Sequence, residues 1–103
     1  MLGKNTLAEI SEILSSEKLS ELKKVYIEIH NGYQYGSVII SSSNTDLLVE
    51  LKNDLGSITD HTLISCIHIP TKSGRGALLI ASKISEILVL NGIEVTQSGT
   101  AFK

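Results

Sequence analysis

Apolar residues recur at helical spacing in the first part of the chain. The pattern starts after Asn5 or Thr6, and Thr6 with Glu9 has the spacing of a capping box, which satisfies amide groups at a helix start. Ser15 and Ser16 interrupt the pattern, and a second short segment continues it. The apolar positions are Leu7, Ile10, Leu14, Leu19 and Leu22. This stripe predicts an N-terminal helix followed by a short second one.

Apolar and polar residues alternate from residue 25 to residue 30, which predicts a β-strand. Asn31-Gly32 is a strong signal for a two-residue hairpin turn, so residues 33–41 are the predicted return strand. The expected cross-strand pairs are His30 with Tyr33, Glu28 with Tyr35, Tyr26 with Ser37, Ile29 with Gln34, Ile27 with Gly36, and Val25 with Val38. One face would then be aliphatic, and the other would hold the three tyrosines with His30.

Two further helices and two further strands are predicted in the second half of the chain. A helix follows Ser41-Ser42-Ser43-Asn44, and Gly56 suits the left-handed position after its end. A strand over 62–69 is ended by Pro70, a helix covers 76–90, and a last strand covers 93–97. The inward positions of the two helices are Leu47, Leu48, Leu51 and Leu55 in the first, and Leu79, Ile80, Ile84, Ile87 and Leu88 in the second.

The element order is therefore α-β-β-α-β-α-β, within a single domain of residues 1–103. It predicts an α/β protein, a two-layer α+β sandwich with a four-stranded mixed sheet. The first strand should be antiparallel to the second. Helices between the later strands imply crossover connections and parallel pairing. The pattern leaves open whether the helices cover one face of the sheet or both.

Composition narrows the function classes. The net charge is −2, which argues against a general nucleic-acid coat protein but permits a local cationic patch near Lys72 and Arg75. No apolar stretch is long enough to span a bilayer, and no signal peptide is visible, so no membrane partner is expected. Cys66 is the single cysteine, so a reducing, cytoplasmic location is predicted. Its place in an alternating strand predicts a structural thiol.

The segment from residue 70 to residue 76 joins a predicted parallel strand to the start of a helix. Open α/β sheets bind ligands at that edge, and a helix start attracts anions. The candidate ligand-binding residues are Lys72, Ser73, Gly74, Arg75 and Gly76, with Ser43 and Asn44 from the equivalent end of the preceding strand. The alternative is a polar turn whose glycines only allow a tight bend. Neither the Walker nor the Rossmann phosphate motif is present.

Tyr26, Tyr33 and Tyr35 are the candidate interface residues. A tyrosine-bearing sheet face serves as a homodimer interface, as a surface for stacking nucleic-acid bases, or simply for cross-strand packing. The pattern alone leaves open which of these uses applies, although a homodimer is expected.

No catalytic or metal site is expected. Cys66 and His68 share a face of one predicted strand, but no nucleophile, base and orienting group occur together. His30, His61 and His68 lack metal-ligand spacing, and no cofactor is predicted.

The C-terminal third resembles Alba-type nucleic-acid-binding proteins. Lys72, Gly74, Arg75, Gly76 and Ala77 are followed by an apolar helix through Ser82-Lys83 and then by Gly92-Ile93-Glu94-Val95. The Alba pattern has a similar loop, helix and strand. This resemblance implies a small dimeric α/β domain that binds DNA or RNA, with Lys72 and Arg75 contacting the backbone. The lysine pair of that family has no counterpart in Ser41-Ser42-Ser43-Asn44.

Two functions are therefore expected ahead of a small enzyme, which ranks third. The first is a non-catalytic domain that binds nucleic acid, DNA or RNA, or another phosphate-bearing ligand through the glycine-rich loop. The alternative is a protein-interaction or regulatory module that acts through its sheet face and N-terminal helix.

Overall fold

The fold follows the predicted order of elements. The computed structural model describes residues 4–14, 17–31, 35–62 and 64–99. The helices and strands are α1 (Lys4–Ile13), β1 (Lys24–Asn31), β2 (Gly36–Ser42), α2 (Thr45–Leu55), β3 (Ile67–Thr71), α3 (Gly74–Leu90) and β4 (Glu94–Gly99). Short 3₁₀ helices occupy Glu17–Leu22 and Gly56–Ile58. The α/β class and the four-stranded mixed sheet are confirmed.

The strands lie in the order β3-β2-β1-β4. β1 is antiparallel to β2, as predicted, and parallel to β4. The expected parallel direction of β3 relative to β2 is wrong, because these neighbours are antiparallel. Residues 56–66 return the chain to the end of the sheet where β2 finishes, so that Ile67 lies opposite Ile40. Lys52 helps to hold this connection, since its Nζ donates to the Ile64 carbonyl at 3.4 Å.

The predicted two-residue hairpin turn is also wrong. Ile29 lies opposite Val38 instead of Gln34, and Asn31 lies opposite Gly36, so residues 32–35 separate the strands. The observed register sets Ile27 against Ile40, whereas the predicted one would have set it against Gly36. Cross-strand aliphatic pairs stabilise the observed register. Because the shift is even, every side chain stays on its predicted face.

β3 differs from its predicted bounds at both ends. It begins at Ile67 rather than at residue 62, and it continues through Pro70 to Thr71. Proline is tolerated because β3 is an edge strand, where one side of the backbone has no neighbouring strand to which it must donate. Cys66 consequently precedes the strand and is partly exposed.

The core lies between the helices and one face of the sheet. On this covered face, defined by Val25, Ile27, Ile29, Val38, Ile40, Ile67 and Ile69, each side chain is buried. All of the predicted inward leucines of α2 are buried, and α3 buries Ile80, Ile84 and Leu88. Leu79 was expected inward but is 58% exposed. α1 packs against α2 and α3 through Ile10 and Leu14.

The helices cover only one face. Burial alternates along β1 and β2, so the residues between the buried ones are exposed or half-exposed. This open face is defined by Lys24, Tyr26, Glu28, His30, Ser37, Ile39, Ser41, His68, Pro70, Glu94, Thr96 and Ser98. Within the described part of the chain, no helix combines the length and hydropathy that a membrane span requires.

Candidate functional site

The turn between β3 and α3 is built around Ser73. Its Oγ accepts a hydrogen bond from the Gly76 backbone amide at 3.0 Å, which makes Ser73 the N-cap of α3. Its carbonyl accepts from the Thr71 hydroxyl at 2.7 Å and from the Ala77 amide at 3.2 Å. Both polar groups of Ser73 therefore hold the helix start in place, and Ser73 has a structural role there.

The same turn concentrates positive charge. Residues 72–76 form what we call the cationic loop, in which the side chains of Lys72 and Arg75 are exposed. Neither of them has a carboxylate within 4.0 Å among the described residues, and the first turn of α3 contains no acid. The α3 dipole adds a partial positive charge at the same point. This combination favours an anion outside the helix start.

Gly36 positions the cationic loop and was not predicted to do so. A Cβ atom there would lie 2.8 Å from the His30 carbonyl oxygen, 2.9 Å from the Ser73 carbonyl oxygen and 3.0 Å from Ala77 Cβ. Only glycine lets the start of β2 approach the start of α3 this closely. The signal in the sequence was an isolated glycine within a strand pattern, which marks a close backbone approach.

Ser43 and Asn44 do not join the cationic loop. Because β2 and β3 are antiparallel, Thr71 lies opposite Gly36 at the start of β2, whereas Ser43 and Asn44 follow its end. The prediction that Ser43 and Asn44 bind the same ligand as residues 72–76 is therefore wrong. Asn44 instead caps α2, where its Oδ1 accepts from the Leu47 amide at 3.3 Å. Its Nδ2 donates to the Glu21 carbonyl at 3.1 Å.

The predicted tyrosine cluster is only partly present. Tyr26 lies on the open face and is 46% exposed, whereas Tyr35 precedes β2 and is 69% exposed. Glu28 lies opposite Ile39 rather than Tyr35, since the register differs from the predicted one. Tyr33 lies outside the described residues.

Acidic side chains on and beside the open face lie close to lysine or histidine side chains. Lys24 Nζ lies 3.4 Å from Glu94 Oε2, and this carboxylate raises the pKa of Lys24. Glu28 Oε2 lies 3.0 Å from His30 Nε2. Among the open-face residues, Lys24 is the one lysine or arginine and it lies on the same face as Glu28 and Glu94, so this face is a poor surface for a polyanion.

Asp60 and His68 form another such pair at the β3 edge. Their Oδ2 and Nδ1 atoms lie 3.5 Å apart, too far and too poorly aligned for a hydrogen bond. Asp60 Oδ1 accepts from the backbone amide and hydroxyl of Thr62, at 2.9 and 2.8 Å. These hydrogen bonds hold the pKa of Asp60 below its ordinary value, with a smaller contribution from His68.

Among the described residues, no three His, Cys, Asp or Glu side chains are grouped as a metal site would require. No protein-family model, curated protein or solved structure matches the chain. The fold and these two surfaces define a two-layer α/β domain with a cationic loop and an open sheet face.

Proposed function

We propose that the protein binds a phosphate-bearing ligand through the cationic loop, and that a nucleic-acid backbone is the ligand class to test first. The observation that carries the proposal is the pair of exposed cations, Lys72 and Arg75, without a carboxylate partner among the described residues at the start of α3. The likeness of residues 72–77 to the Alba-type loop supports the same ligand class.

The predicted binding is weak and local. Two cations neutralise about two phosphates, so the logarithm of affinity should fall with the logarithm of salt concentration with a slope of about −2. An extended nucleic-acid interface with 6–10 phosphate contacts has a slope several times steeper, on the order of −5 to −9. The open face, which holds Lys24 together with Glu28 and Glu94, argues against such an extended interface.

Fluorescence polarisation with labelled single- and double-stranded DNA and RNA, at several salt concentrations, tests the proposal. The Lys72→Ala/Arg75→Ala variant should weaken binding and reduce the slope by about 1–2. Lys23→Ala/Lys83→Ala is the matched control, because it removes two exposed or half-exposed cations away from the loop.

Equal affinity and slope in the wild type and the Lys72→Ala/Arg75→Ala variant would exclude the loop. Equal losses in both double variants would show that net charge, rather than the loop, causes binding. Binding of polyphosphate but of no nucleic acid would support the loop as the binding site and would exclude nucleic acid as its ligand.

A second function, as a protein-interaction or regulatory module, is favoured by the open face. Tyr26 and the half-exposed Ile39 lie on a face that none of the described helices covers, where Lys24 lies beside Glu94 and Glu28 beside His30. Tyrosine and aliphatic groups with few unpaired charges are typical of protein interfaces. This function predicts no nucleic-acid binding and a specific partner protein whose recovery is lost in a Tyr26→Ser variant. The single thiol Cys66 suits a reducing, cytoplasmic location for either function.

A further inference from the structure

The two edges of the sheet differ in how their backbone is protected. At the β3 edge, Pro70 lies within the strand. On the outer side of β3, Asp60 forms an antiparallel bridge with His68. Proline and a covering segment are two of the ways in which proteins prevent further strands from pairing at an edge. Nothing comparable occurs at β4 among the described residues.

β4 has the features of a strand that accepts another strand. Five of its six residues are exposed, and it contains no proline. Its single charged residue, Glu94, is its first one. β1 occupies one side of β4, and no described strand occupies the other. Within the part of the chain that the structure describes, no strand pairs with the outward backbone groups of β4, which can therefore form hydrogen bonds with another strand.

The flank of α3 beside β4 carries two exposed apolar side chains. Ser85 Oγ donates to Gln97 Oε1 at 3.1 Å, so this flank of α3 is the one that faces β4. Leu78 lies seven residues before Ser85 and Val89 lies four residues after it, so both are on the same flank of the helix. They are 47% and 60% exposed. A strand that pairs with the open edge of β4 would cover these two apolar side chains as well.

We propose that a second copy of this chain pairs antiparallel with β4, so that two sheets join into one. Directly opposite residues in antiparallel strands lie on the same face, and a two-fold axis through Thr96 keeps the two open faces on the same side. The resulting pairs are Thr96 with Thr96, Glu94 with Ser98, and Val95 with Gln97.

This register favours a second copy over an unrelated strand. No like charges lie opposite each other, and two threonines face each other, which is a favourable cross-strand pair. The symmetry also brings both apolar α3 flanks to the same side of the joined strands. Each copy thus supplies what the other lacks at its β4 edge. The proposal does not depend on the ligand of the cationic loop.

Sedimentation equilibrium over a range of protein concentrations tests the pairing. The wild type should show a dimer that dissociates on dilution. Thr96→Lys should weaken it by at least about tenfold, because two introduced lysines would face each other across the axis. Ser57→Lys is the matched control, since it adds the same charge at an exposed position outside the sheet. Circular dichroism checks that both variants fold.

Variants with opposite charges at residue 96 test whether Thr96 lies at the interface. Thr96→Glu alone should also weaken the dimer, and an equimolar mixture of Thr96→Lys and Thr96→Glu should restore it as a heterodimer. A wild type that remains a single chain at every concentration overturns the proposal. A dimer that neither Thr96 variant weakens also overturns the proposal. If Tyr26→Ser/Tyr35→Ser dissociates that dimer, the interface lies at the tyrosines.

Discussion

On the covered face of the sheet, β1 carries Val25, Ile27 and Ile29, β2 carries Val38 and Ile40, and all five side chains are buried. On the open face, the same two strands carry Tyr26, Glu28 and His30 beside Ser37, Ile39 and Ser41. Neighbouring residues in one strand therefore have different roles. The covered face supplies the apolar burial that stabilises the fold, and the open face is available for contacts with other molecules.

The difference is most direct between Ile39 and Ile40, two isoleucines that are adjacent in β2. Ile40 is 5% exposed and lies against Ile27, whereas Ile39 is half-exposed on the open face. Ile40→Ala should lower the free energy of unfolding by about 2–5 kcal/mol, since it removes buried methyl groups and leaves a cavity. Ile39→Ala should cost about 1 kcal/mol or less. Urea denaturation of both variants measures the difference, and similar losses would mean that the open face is covered in solution.

A second prediction concerns the close approach between the hairpin and α3. Gly36→Ala should cost about 1–3 kcal/mol, because its Cβ would meet two backbone oxygens that cannot easily move. Gly99→Ala is the control, since its Cβ would meet Ile29 Cβ at an ordinary 3.8 Å. If the displacement of Ser73 also disturbs the cationic loop, Gly36→Ala should weaken anion binding as well. Thermal unfolding measures the loss of stability, and fluorescence polarisation measures the loss of anion binding. A Gly36→Ala variant as stable as the wild type would contradict the close approach of Gly36 to Ser73 and Ala77.

The smallest expected effect concerns Asp60, beside the β3 edge, and how steeply the stability of the fold falls at acidic pH. The pKa of Asp60 is lowered in the folded protein, so its ionised form stabilises the fold above the ordinary pKa of aspartate. That contribution is lost as the pH falls through the lowered pKa. In Asp60→Asn, stability should therefore fall less steeply below about pH 4 than in the wild type. Melting temperatures measured from neutral to acidic pH test this, and parallel profiles would show that Asp60 does not contribute.

Local patterns predicted the elements well. The leucines of α2 are buried as their spacing indicated, and Gly56 has the expected positive φ of 58° after the helix. The alternation in β1 likewise gave the correct faces. Each of these properties depends on residues only a few positions apart.

Relations between distant segments were harder to predict. The Asn31-Gly32 signal favoured a tight turn, but pairing Ile27 with Ile40 and Ile29 with Val38 buries more aliphatic surface, and this set the register. The direction of β3 depends on how residues 56–66 return to the sheet, which no local pattern encodes. The separation of Asn44 from Lys72 follows from that direction. The predicted shared site was therefore lost, although each segment was correctly placed after a strand.

The position of β4 beside β1 also has a kinetic consequence. β1 meets β2 across a short connection, whereas it meets β4 only when Lys24 and Glu94 come together from distant parts of the chain. Closing so long a loop costs more entropy than closing the hairpin, so β4 should be added to the sheet late in folding. In the dissociated chain, the same strand should open first, and its amides should exchange hydrogen faster than those of β1 and β2. Each such opening exposes the backbone of β1 at the centre of the sheet, which provides a route by which two copies of the chain exchange their last strands.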